Sequence, residues 1–414
     1  MRIFISTGEP SGDLHAASII HSFRARRPDV QFVGYGGPKM TAAGATLHFQ
    51  LVDLAIMWFL QAILNIGTFL KLVYRADQFF RDERPDAVIL IDYPGFNWWI
   101  ARRAKARGIP VFYYVPPQLW AWAGWRVKKV RRFVDLVLCS LPFEPRWYQE
   151  RGVEGAVYVG HPFFDELAER KIDERFLAEQ ETRSGKLVAI LPGSRTLEVI
   201  RNLPVQLRAA AKLLRKQPNT RFVIACLHER HAELVRTTVG NLAFELNGLG
   251  MDPSTLEIHH GRTAELIRAA DVAWSVSGSV SLELMMESLP TVILYTVRRI
   301  DLLIARRFIK AKYITLVNLL ADRELMPEYL TWEDASDSLA AWADHWLSHP
   351  TARSGAAEEL TRLAQHVALP GASDRAAEQI DRWLIAHRAG SNSGYSPAYR
   401  GPHDAPAPAE SHQA

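Results

Sequence analysis

The residues best suited to bind a charged ligand form a glycine-containing turn at positions 191–198, with the sequence Leu-Pro-Gly-Ser-Arg-Thr-Leu-Glu. The turn follows the apolar segment 187–191 and precedes a helical pattern, so backbone N–H groups and Arg195 could hold a diphosphate. A similar turn at 275–283 follows the strand-like segment 271–274. An ordinary loop would explain either turn alone. Two such turns in one half of the chain indicate a nucleotide diphosphate ligand.

Side chains in and after these turns match parts of such a ligand. The planar guanidinium of Arg195 could bind phosphate oxygens in a bidentate manner. Ser277, Gly278 and Ser279 precede a helical segment whose N-terminal N–H groups favour an anion. Glu283, one turn into that segment, could accept hydrogen bonds from ribose hydroxyls. The alternative for Arg195 is a surface arginine at a helix start. The alternative for Glu283 is a capping carboxylate, although the spacing from Ser279 to Glu283 is one residue too long for a capping box.

The composition predicts a two-domain protein without a metal or disulfide framework. A chain of 414 residues with 48% hydrophobic content suits two α/β domains. The net charge of +4 is too small to indicate a nucleic-acid partner by itself. Cys139 and Cys226 lie in apolar segments, which argues for core thiols in a reducing compartment. No set of His, Asp and Glu has metal-ligand spacing, so neither a metal nor a cofactor is expected.

The elements that must position these residues alternate between strand-like and helix-length segments. Short β-branched or aromatic segments lie at 2–7, 32–35, 87–91, 111–115, 136–139 and 156–159, and again at 187–191, 222–226, 256–259, 272–274 and 292–295. Helix-length stretches such as 14–26 and 98–107 separate them. This alternation is typical of parallel sheets covered by helices. It predicts an α/β protein with two Rossmann-like, doubly wound lobes and a ligand-binding cleft between them.

The predicted boundaries follow changes in composition. Residues 1–165 form the first lobe, the charge-rich segment 166–186 is a linker, and residues 187–385 form the second lobe with terminal helices. Residues 389–414 are rich in Gly, Ser and Pro, which predicts a disordered tail. The amino terminus enters a strand at once and has no signal-peptide pattern, so a cytoplasmic location is expected.

Eight motifs occur in the order found in lipid-A-disaccharide synthases. They are GEPSGD at 8–13, IDYPGFN at 91–97, LWAW at 119–122, LPFE at 141–144, VGHP at 159–162, LPGSR at 191–195, SGS at 277–279 and NLLADRE at 318–324. The chain therefore resembles this family of two-lobed, GT-B-type glycosyltransferases over residues 1–385. The resemblance implies a reaction that joins UDP-2,3-diacylglucosamine to 2,3-diacylglucosamine 1-phosphate through a β-1,6 bond and releases UDP. It is also compatible with a homodimer.

An inverting transfer of this kind needs a general base for the acceptor hydroxyl. Asp92 is the first choice, because it ends a strand before a Pro-Gly turn and because the matching Asp of the family is assigned a catalytic role. Glu9 and Asp13, on the first strand-to-helix turn, are rivals, and Ser11 and Gly12 between them are expected to bind substrate. Helix capping is the alternative for Asp92, Ser11 and Asp13.

Three further positions follow from the resemblance. Asn318 and Glu324 match family positions near the interdomain cleft and are expected to bind substrate. His161 is interpreted as a packing residue at the hinge and not as a base or a metal ligand.

Three segments predict contact with a membrane, and one of them is the basic segment 298–312. The segment 51–70 is mostly apolar with a polar stripe, and places Trp58, Phe59 and Ile63 on a broad apolar surface. A buried core helix is the alternative. The segment 120–132 combines tryptophans with basic residues that suit an anionic headgroup layer, namely Trp120, Trp122, Trp125, Lys128 and Lys129. A solvated helix face is the ordinary explanation of the basic run. The combination predicts a peripheral enzyme at the inner face of the cytoplasmic membrane.

Departures from the family pattern keep other functions open. Residues 57–61 and Pro116 differ from the pattern of many members, which leaves acyl selectivity and acceptor identity undecided. One alternative is a GT-B relative that acts on another lipid, or a UDP-sugar epimerase. Another is a non-catalytic protein that binds membranes or nucleic acid with the same fold.

Overall fold

The computed structural model describes residues 1–52, 66–308 and 311–388, which divide into two compact units. The first unit contains Met1–Glu169 together with the described residues after Val367, and the second contains Arg170–Val367. Each unit has one parallel sheet with helices packed on it. This architecture confirms the predicted α/β class and the two doubly wound lobes.

The first unit is built on seven parallel strands in the order β3-β2-β1-β4-β5-β6-β7. The strands are β1 Arg2–Ser6, β2 Gln31–Gly36, β3 Thr46–Gln50, β4 Ala87–Ile91, β5 Val111–Tyr114, β6 Leu136–Cys139 and β7 Ala156–Tyr158. Side chains of a strand alternate between faces. Ile3 and Ile5 accordingly pack into one hydrophobic core and Phe4 into another on the opposite face. The strand order reverses between β1 and β4, where the loops at the carboxyl ends diverge and ligands of such sheets bind.

The helices before residue 170 cover both faces of this sheet. They are α1 Pro10–Arg26, α2 Pro38–Ala42, α3 Ile66–Asp82, α4 Pro94–Ala106, α5 Leu119–Trp122, α6 Val127–Phe133, α7 Glu144–Gln149 and α8 Phe163–Glu169, with a 3₁₀ turn at Gly124–Arg126. Proline occupies the first turn of α1, α2 and α4. At that position its missing N–H would have no helical partner, so it favours helix initiation.

The second unit repeats the scheme with six parallel strands in the order β10-β9-β8-β11-β12-β13. The strands are β8 Lys186–Leu191, β9 Thr220–Cys226, β10 Glu257–His260, β11 Val272–Ser275, β12 Thr291–Thr296 and β13 Glu328–Thr331. Its helices are α9 Glu174–Glu181, α10 Thr196–Lys216, α11 Glu229–Gly248, α12 Thr263–Ala269, α13 Val280–Met286, α14 Arg299–Phe308, α15 Leu316–Ala321, α16 Ser336–Ser348 and α17 Pro350–Val367, with a 3₁₀ turn at Pro253–Thr255. The order reverses between β8 and β11. The two predicted phosphate turns follow these two strands.

The last helix, α18 Ala372–Arg388, belongs to the first unit, whereas the sequence assigned residues up to 385 to the second lobe. Ile380 is fully buried in the first core, and the ring of Trp383 lies 5.2 Å from that of Phe112. The carboxylate of Asp165 accepts the N–H groups of residues 371–373 and so caps the start of the helix. An amphipathic pattern shows that a helix is covered, but it does not show which sheet covers it.

The predicted linker at 166–186 contains helix α9, which packs against α12 inside the second unit. Asp173 caps α9 by accepting the N–H of Phe176 at 3.1 Å and pairs with Arg262 at 2.5 Å. Its own N–H donates to the buried carboxylate of Glu265. Asp173, one of the charges that suggested a linker, is therefore bonded within the second unit, whereas residues 166–169 belong to the first.

Two edge strands were missing from the sequence prediction, β3 and β13. The residues of β3 alternate between exposed and half-buried, and those of β13 are all half-buried. Edge strands have one neighbour and so need little of the continuous apolar sequence that marks central strands.

Several predictions fall on residues outside the described ranges. They include the proposed lipid contacts Trp58, Phe59 and Ile63, the departure at 57–61 and the tail at 389–414. Among the helices of the described ranges, none combines the length and the apolar character needed to cross a membrane.

Candidate active site

Two of the predicted catalytic carboxylates follow neighbouring strands at the carboxyl edge of the first sheet. Glu9 comes after β1 and Asp92 comes directly after β4, on either side of the point where the strand order reverses. Between them, the ring of Tyr93 lies so close to Gly8 that a Cβ there would overlap it. Burial, and then the charge of Glu9, raise the pKa of Tyr93. Glu9 and Asp92 therefore lie at the same edge, where ligands of doubly wound sheets bind.

The backbone at Asp92 has an uncommon conformation for a residue with a side chain. Asp92 and Tyr93 have φ angles of 42° and 45°, in the left-handed region. The carbonyl oxygen of Asp92 accepts hydrogen bonds from Nδ2 of Asn97 at 2.8 Å and from the hydroxyl of Tyr113 at 2.7 Å. Such strained residues persist only where their surroundings hold them, and they cluster at functional sites.

Asp13 has a structural task. Its carboxylate is buried and accepts the N–H groups of Gly37 at 2.9 Å, Lys39 at 2.9 Å and Met40 at 3.1 Å. These are the donors at the start of α2, so Asp13 caps a helix from another part of the chain. These contacts support the capping alternative for Asp13, and its role as a base stays a prediction. Sequence spacing could not show that the capped helix begins 25 residues later, at Pro38.

The two predicted binding residues of this turn differ in accessibility. Ser11 is exposed at the start of α1, and its binding role stays a prediction. Gly12 is buried, and a Cβ there would overlap Oγ1 of Thr7. Gly12 therefore allows the close packing of α1 against the end of β1.

In the second unit, the Gly-Ser-Arg turn is bonded to the helix that follows it. The N–H groups of Ser194 and Arg195 donate to Oε2 of Glu198 at 3.1 and 3.2 Å, and Nη1 of Arg195 donates to Oε1 at 3.1 Å. The expectation of unoccupied N–H groups is therefore wrong at these two residues. The cause is the carboxylate of Glu198, in the first turn of α10, which accepts the N–H groups that precede this helix. The Arg195 side chain is 69% exposed, so its guanidinium remains accessible to solvent.

The second predicted turn joins β11 to α13. The hydroxyl of Ser277 donates to the carbonyl of Ile314 at 2.5 Å, which fixes it to the segment before α15. Gly278 is half-buried and Ser279 is exposed. The buried carboxylate of Glu283 pairs with Nη1 of Arg170 at 2.5 Å. The sequence contained no signal for this pairing, because Arg170 lies 113 residues earlier in a segment interpreted as a linker.

Asn318 is bonded entirely within the protein. Its Nδ2 donates to the carbonyl of Met326 at 2.7 Å and to Glu328 at 3.0 Å, and its Oδ1 accepts the N–H groups of Leu325 and Met326. These bonds use the two donors and two acceptor positions of the amide. These contacts favour a structural role for Asn318, whose side chain holds the loop before β13, and its predicted substrate role stays a prediction. Glu324 is exposed and accepts the N–H of Glu328 at 3.1 Å.

The basic-aromatic segment presents two of its three tryptophans to solvent. Trp122 and Trp125 are 45% and 62% exposed, and the guanidinium of Arg126 lies 4.9 and 5.7 Å from their ring centres. Lys128 and Lys129 on α6 are also exposed. Trp120 differs, because its Nε1 donates to the buried carboxylate of Glu144 at 3.0 Å. It anchors the segment to the unit instead of extending from it.

Glu144 had no assigned role in the sequence although it ends the LPFE motif. It is fully buried, and its second oxygen accepts the N–H groups of Ser140 and Leu141 at 3.0 Å each. Burial raises its pKa to about 7, against the opposing effect of these hydrogen bonds.

His161, predicted as a packing residue, accepts the N–H of Phe163 and lies edge-on to His15. The described residues contain no group of side chains that could hold a metal ion.

Solved structures share this fold, and one of them is a complex with UDP. The complex of S. aureus MnaA with UDP superimposes with a TM-score of 0.63 at 12% identity, and covers 93% of this chain and 97% of that one. The MurG structure from Acinetobacter baumannii has a TM-score of 0.56 at 13% identity, with coverages of 92% and 99%. At such identities the likeness concerns the fold alone.

Sequence comparison is more specific. A family model described as lipid-A-disaccharide synthetase matches residues 3–366. The lipid-A-disaccharide synthase of Syntrophus aciditrophicus (strain SB) is 34% identical over 376 residues, which are 91% of this chain and 96% of that protein. The protein of the same name from Anaeromyxobacter sp. (strain K) is 34% identical over 379 residues, with coverages of 92% and 96%. The chain therefore belongs to the lipid-A-disaccharide synthetase family.

Proposed function

We propose that this protein is an inverting glycosyltransferase that joins UDP-2,3-diacylglucosamine to 2,3-diacylglucosamine 1-phosphate, forming the lipid A disaccharide 1-phosphate and UDP. The observation that carries the proposal is the family match over nearly the whole chain. A carboxylate at the reversal point of one sheet and an arginine turn at that of the other supply the two groups such a transfer requires.

The acceptor hydroxyl must lose a proton as it attacks the anomeric carbon. Asp92 takes this proton while the new carbon–oxygen bond forms on the face opposite the UDP. The bond between the anomeric carbon and the diphosphate oxygen breaks at the same time, and its electron pair leaves with UDP. Glu9, at the same sheet edge, is the second candidate for the base.

The leaving diphosphate gains negative charge, which the second unit must stabilise. Arg195 is accessible to solvent and has the planar geometry that binds phosphate oxygens. Its described partner Glu198 must exchange this contact for the diphosphate when the ligand binds. Glu283 must likewise exchange its contact with Arg170 to accept the ribose hydroxyls, and Ser279 offers its hydroxyl at the neighbouring turn.

Both substrates carry acyl chains, so the enzyme must reach a lipid surface. Trp122 and Trp125 form an exposed aromatic pair beside Lys128 and Lys129, a combination that suits the headgroup layer of an anionic membrane. The enzyme is accordingly a peripheral protein at the inner face of the cytoplasmic membrane.

The test is mass spectrometry of the products formed by the purified protein from the two monosaccharide substrates. The proposal expects the mass of the disaccharide 1-phosphate together with equimolar UDP. A new UDP-sugar isomer formed without the acceptor, which has the substrate's mass and must be separated by chromatography, would indicate an epimerase instead. Vesicle binding without any conversion of either substrate would indicate a non-catalytic protein.

A further inference from the structure

We propose that Tyr113 and Asn97 are positioning residues that set the direction of the Asp92 carboxylate by holding the Asp92 backbone in its left-handed conformation. The inference rests on the proposed function, in which Asp92 is the base. Tyr113 and Asn97 make no contact with the reacting atoms in this proposal. They act through the Asp92 carbonyl.

The conformation itself requires an explanation. At the end of a strand, an ordinary residue continues in the extended region, and a left-handed φ is disfavoured for residues with a Cβ. Here two such residues follow one another, Asp92 at 42° and Tyr93 at 45°. The chain turns sharply out of β4 and begins α4 at Pro94. The carboxylate of Asp92 therefore leaves the backbone in a direction that an extended residue would not give it.

The two hydrogen bonds to the Asp92 carbonyl explain how this turn is held. Tyr113 reaches it from β5, the strand beside β4, and Asn97 reaches it from the first turn of α4. A carbonyl oxygen has two acceptor positions, so the two donors satisfy it completely. In another backbone conformation, this carbonyl would rotate away. The buried hydroxyl of Tyr113 would then lose its described acceptor, whereas Nδ2 of Asn97 also donates to the carbonyls of Ser6 and Ile91 at 3.2 Å.

The donors are themselves held in place. Asn97 is fully buried, and its Oδ1 accepts a hydrogen bond from Oγ of Ser6 at 2.7 Å. This bond fixes which side of the amide faces Asp92, and it connects β1 to the turn after β4. Tyr113 is buried in the hydrophobic core, where burial and then the charge of Asp92 raise the pKa of its hydroxyl, so that the hydroxyl keeps its proton.

The next residue of β5 provides a matched control. Tyr114 is also a buried tyrosine, and its hydroxyl lies 3.2 Å from Oγ of Ser373 in helix α18. Neighbouring residues of a strand point to opposite faces, and the two rings pack into different cores. Tyr114→Phe therefore removes a hydroxyl of the same kind without touching Asp92.

The experiment compares Tyr113→Phe and Tyr114→Phe by disaccharide formation, UDP binding and thermal unfolding. We expect Tyr113→Phe to lower kcat about 10-fold or more with an unchanged Kd for UDP, and to shift the acidic limb of the kcat–pH profile. Tyr114→Phe should keep the wild-type kcat and profile. Ser6→Ala, which removes the hydroxyl bond to Oδ1 of Asn97, should lower kcat in the same direction but less. Wild-type kcat and pH profile in Tyr113→Phe would overturn the inference.

A double-mutant cycle separates positioning from general loss of structure. If Tyr113 acts only through Asp92, then Asp92→Asn combined with Tyr113→Phe should be no slower than Asp92→Asn alone. A further loss of the same size as in the wild-type background would contradict the inference and leave the proposed function intact. Absence of disaccharide in the wild-type reaction would instead contradict the proposed function, and the inference would fall with it.

Discussion

The polar side chains at the two sheet edges differ in how far they are exposed to solvent. Asp13 and Asn318 are buried; Asp13 accepts three backbone N–H groups, and the amide of Asn318 has both donors and both acceptor positions occupied. Asp92 and Arg195 are at least partly exposed at strand ends where such sheets bind ligands. This difference in accessibility is the physical reason to assign chemistry to the second pair and structure to the first.

Asp92→Asn tests the base. Asparagine has nearly the same size and tolerates a left-handed φ, so the fold and the UDP affinity should not change. Turnover should fall by about 100-fold or more, because general-base catalysis contributes about that factor. Steady-state kinetics with a parallel UDP titration measures both quantities. Turnover close to that of the wild type would move the base to Glu9.

Arg195→Ala tests the diphosphate contact. Loss of a charge-assisted hydrogen bond should weaken UDP binding by about 1.5–3 kcal/mol and slow the departure of UDP. Calorimetric titration of UDP into the variant measures the first effect. Arg195→Lys is the matched control, and should recover only part of the affinity because an ammonium cannot bind two oxygens through a planar fork. Unchanged affinity in Arg195→Ala would leave this residue at the surface with its Glu198 contact only.

For single residues, the sequence predicted the position in the fold better than it predicted the contacts of the side chain. Asp92, Glu9 and Arg195 are where strand-end motifs predicted them, because motif order and sheet topology are both encoded locally. The pairing of Glu283 with Arg170, and the contact of Trp120 with Glu144, involve residues 113 and 24 positions apart. Such contacts depend on the packing of whole elements, which no single motif contains.

Among the elements that the structure describes, the segment from α5 to α6 has exposed residues that suggest an external partner. Its exposed face combines Trp122 and Trp125 with Arg126 and two lysines, whereas its inner side is anchored by Trp120 and Val130. An amphipathic arrangement of this kind serves an interface that is apolar on one side and charged on the other. The sequence predicted this surface because its aromatic and basic residues lie close together within one short segment.

Replacing Trp122 and Trp125 together with Ser should reduce sedimentation with anionic vesicles and raise the KM for the acylated acceptor. Both effects follow from lost apolar area, at about 25 cal/mol per Å² buried. UDP binding should not change. Phe244→Ser is the matched control, since Phe244 is a 94% exposed aromatic in the second unit. Equal vesicle binding by the double variant and the wild type would exclude this segment from lipid contact.

Across the whole chain, each unit is stabilised by its own cores, and α18 ties the end of the chain to the first unit. Central strands were predictable because they are nearly continuous apolar segments. The return of α18 was not, because Ile380 and Trp383 would satisfy an amphipathic pattern against either sheet. The domain boundary near α18 therefore depends on which sheet this helix packs against, and amino-acid composition does not determine that.

The pH dependence of the first unit should contain two opposing contributions. Burial lowers the pKa of His15 from 6.5 to about 3, so the unfolded chain binds a proton below pH 6.5 that the folded unit does not. Its contribution is complete above pH 6.5 and is reduced by about 2 kcal/mol at pH 5. His161, with a pKa lowered by burial to about 4, acts in the same direction. Glu144, with a pKa raised to about 7, acts in the opposite direction, because the folded unit binds its proton first as the pH falls.

Two variants separate these contributions in urea unfolding curves recorded between pH 7 and pH 5. Glu144→Gln removes the contribution that favours folding in acid, so the unfolding free energy should fall more steeply with decreasing pH, by about 2 kcal/mol over this interval. His15→Gln should make the same decline shallower by a similar amount. The slope with pH is the decisive quantity, because either substitution also shifts the absolute stability through lost packing. If both variants kept the wild-type slope, neither group would titrate differently in the folded and unfolded states, and the burial argument for their pKa values would fail.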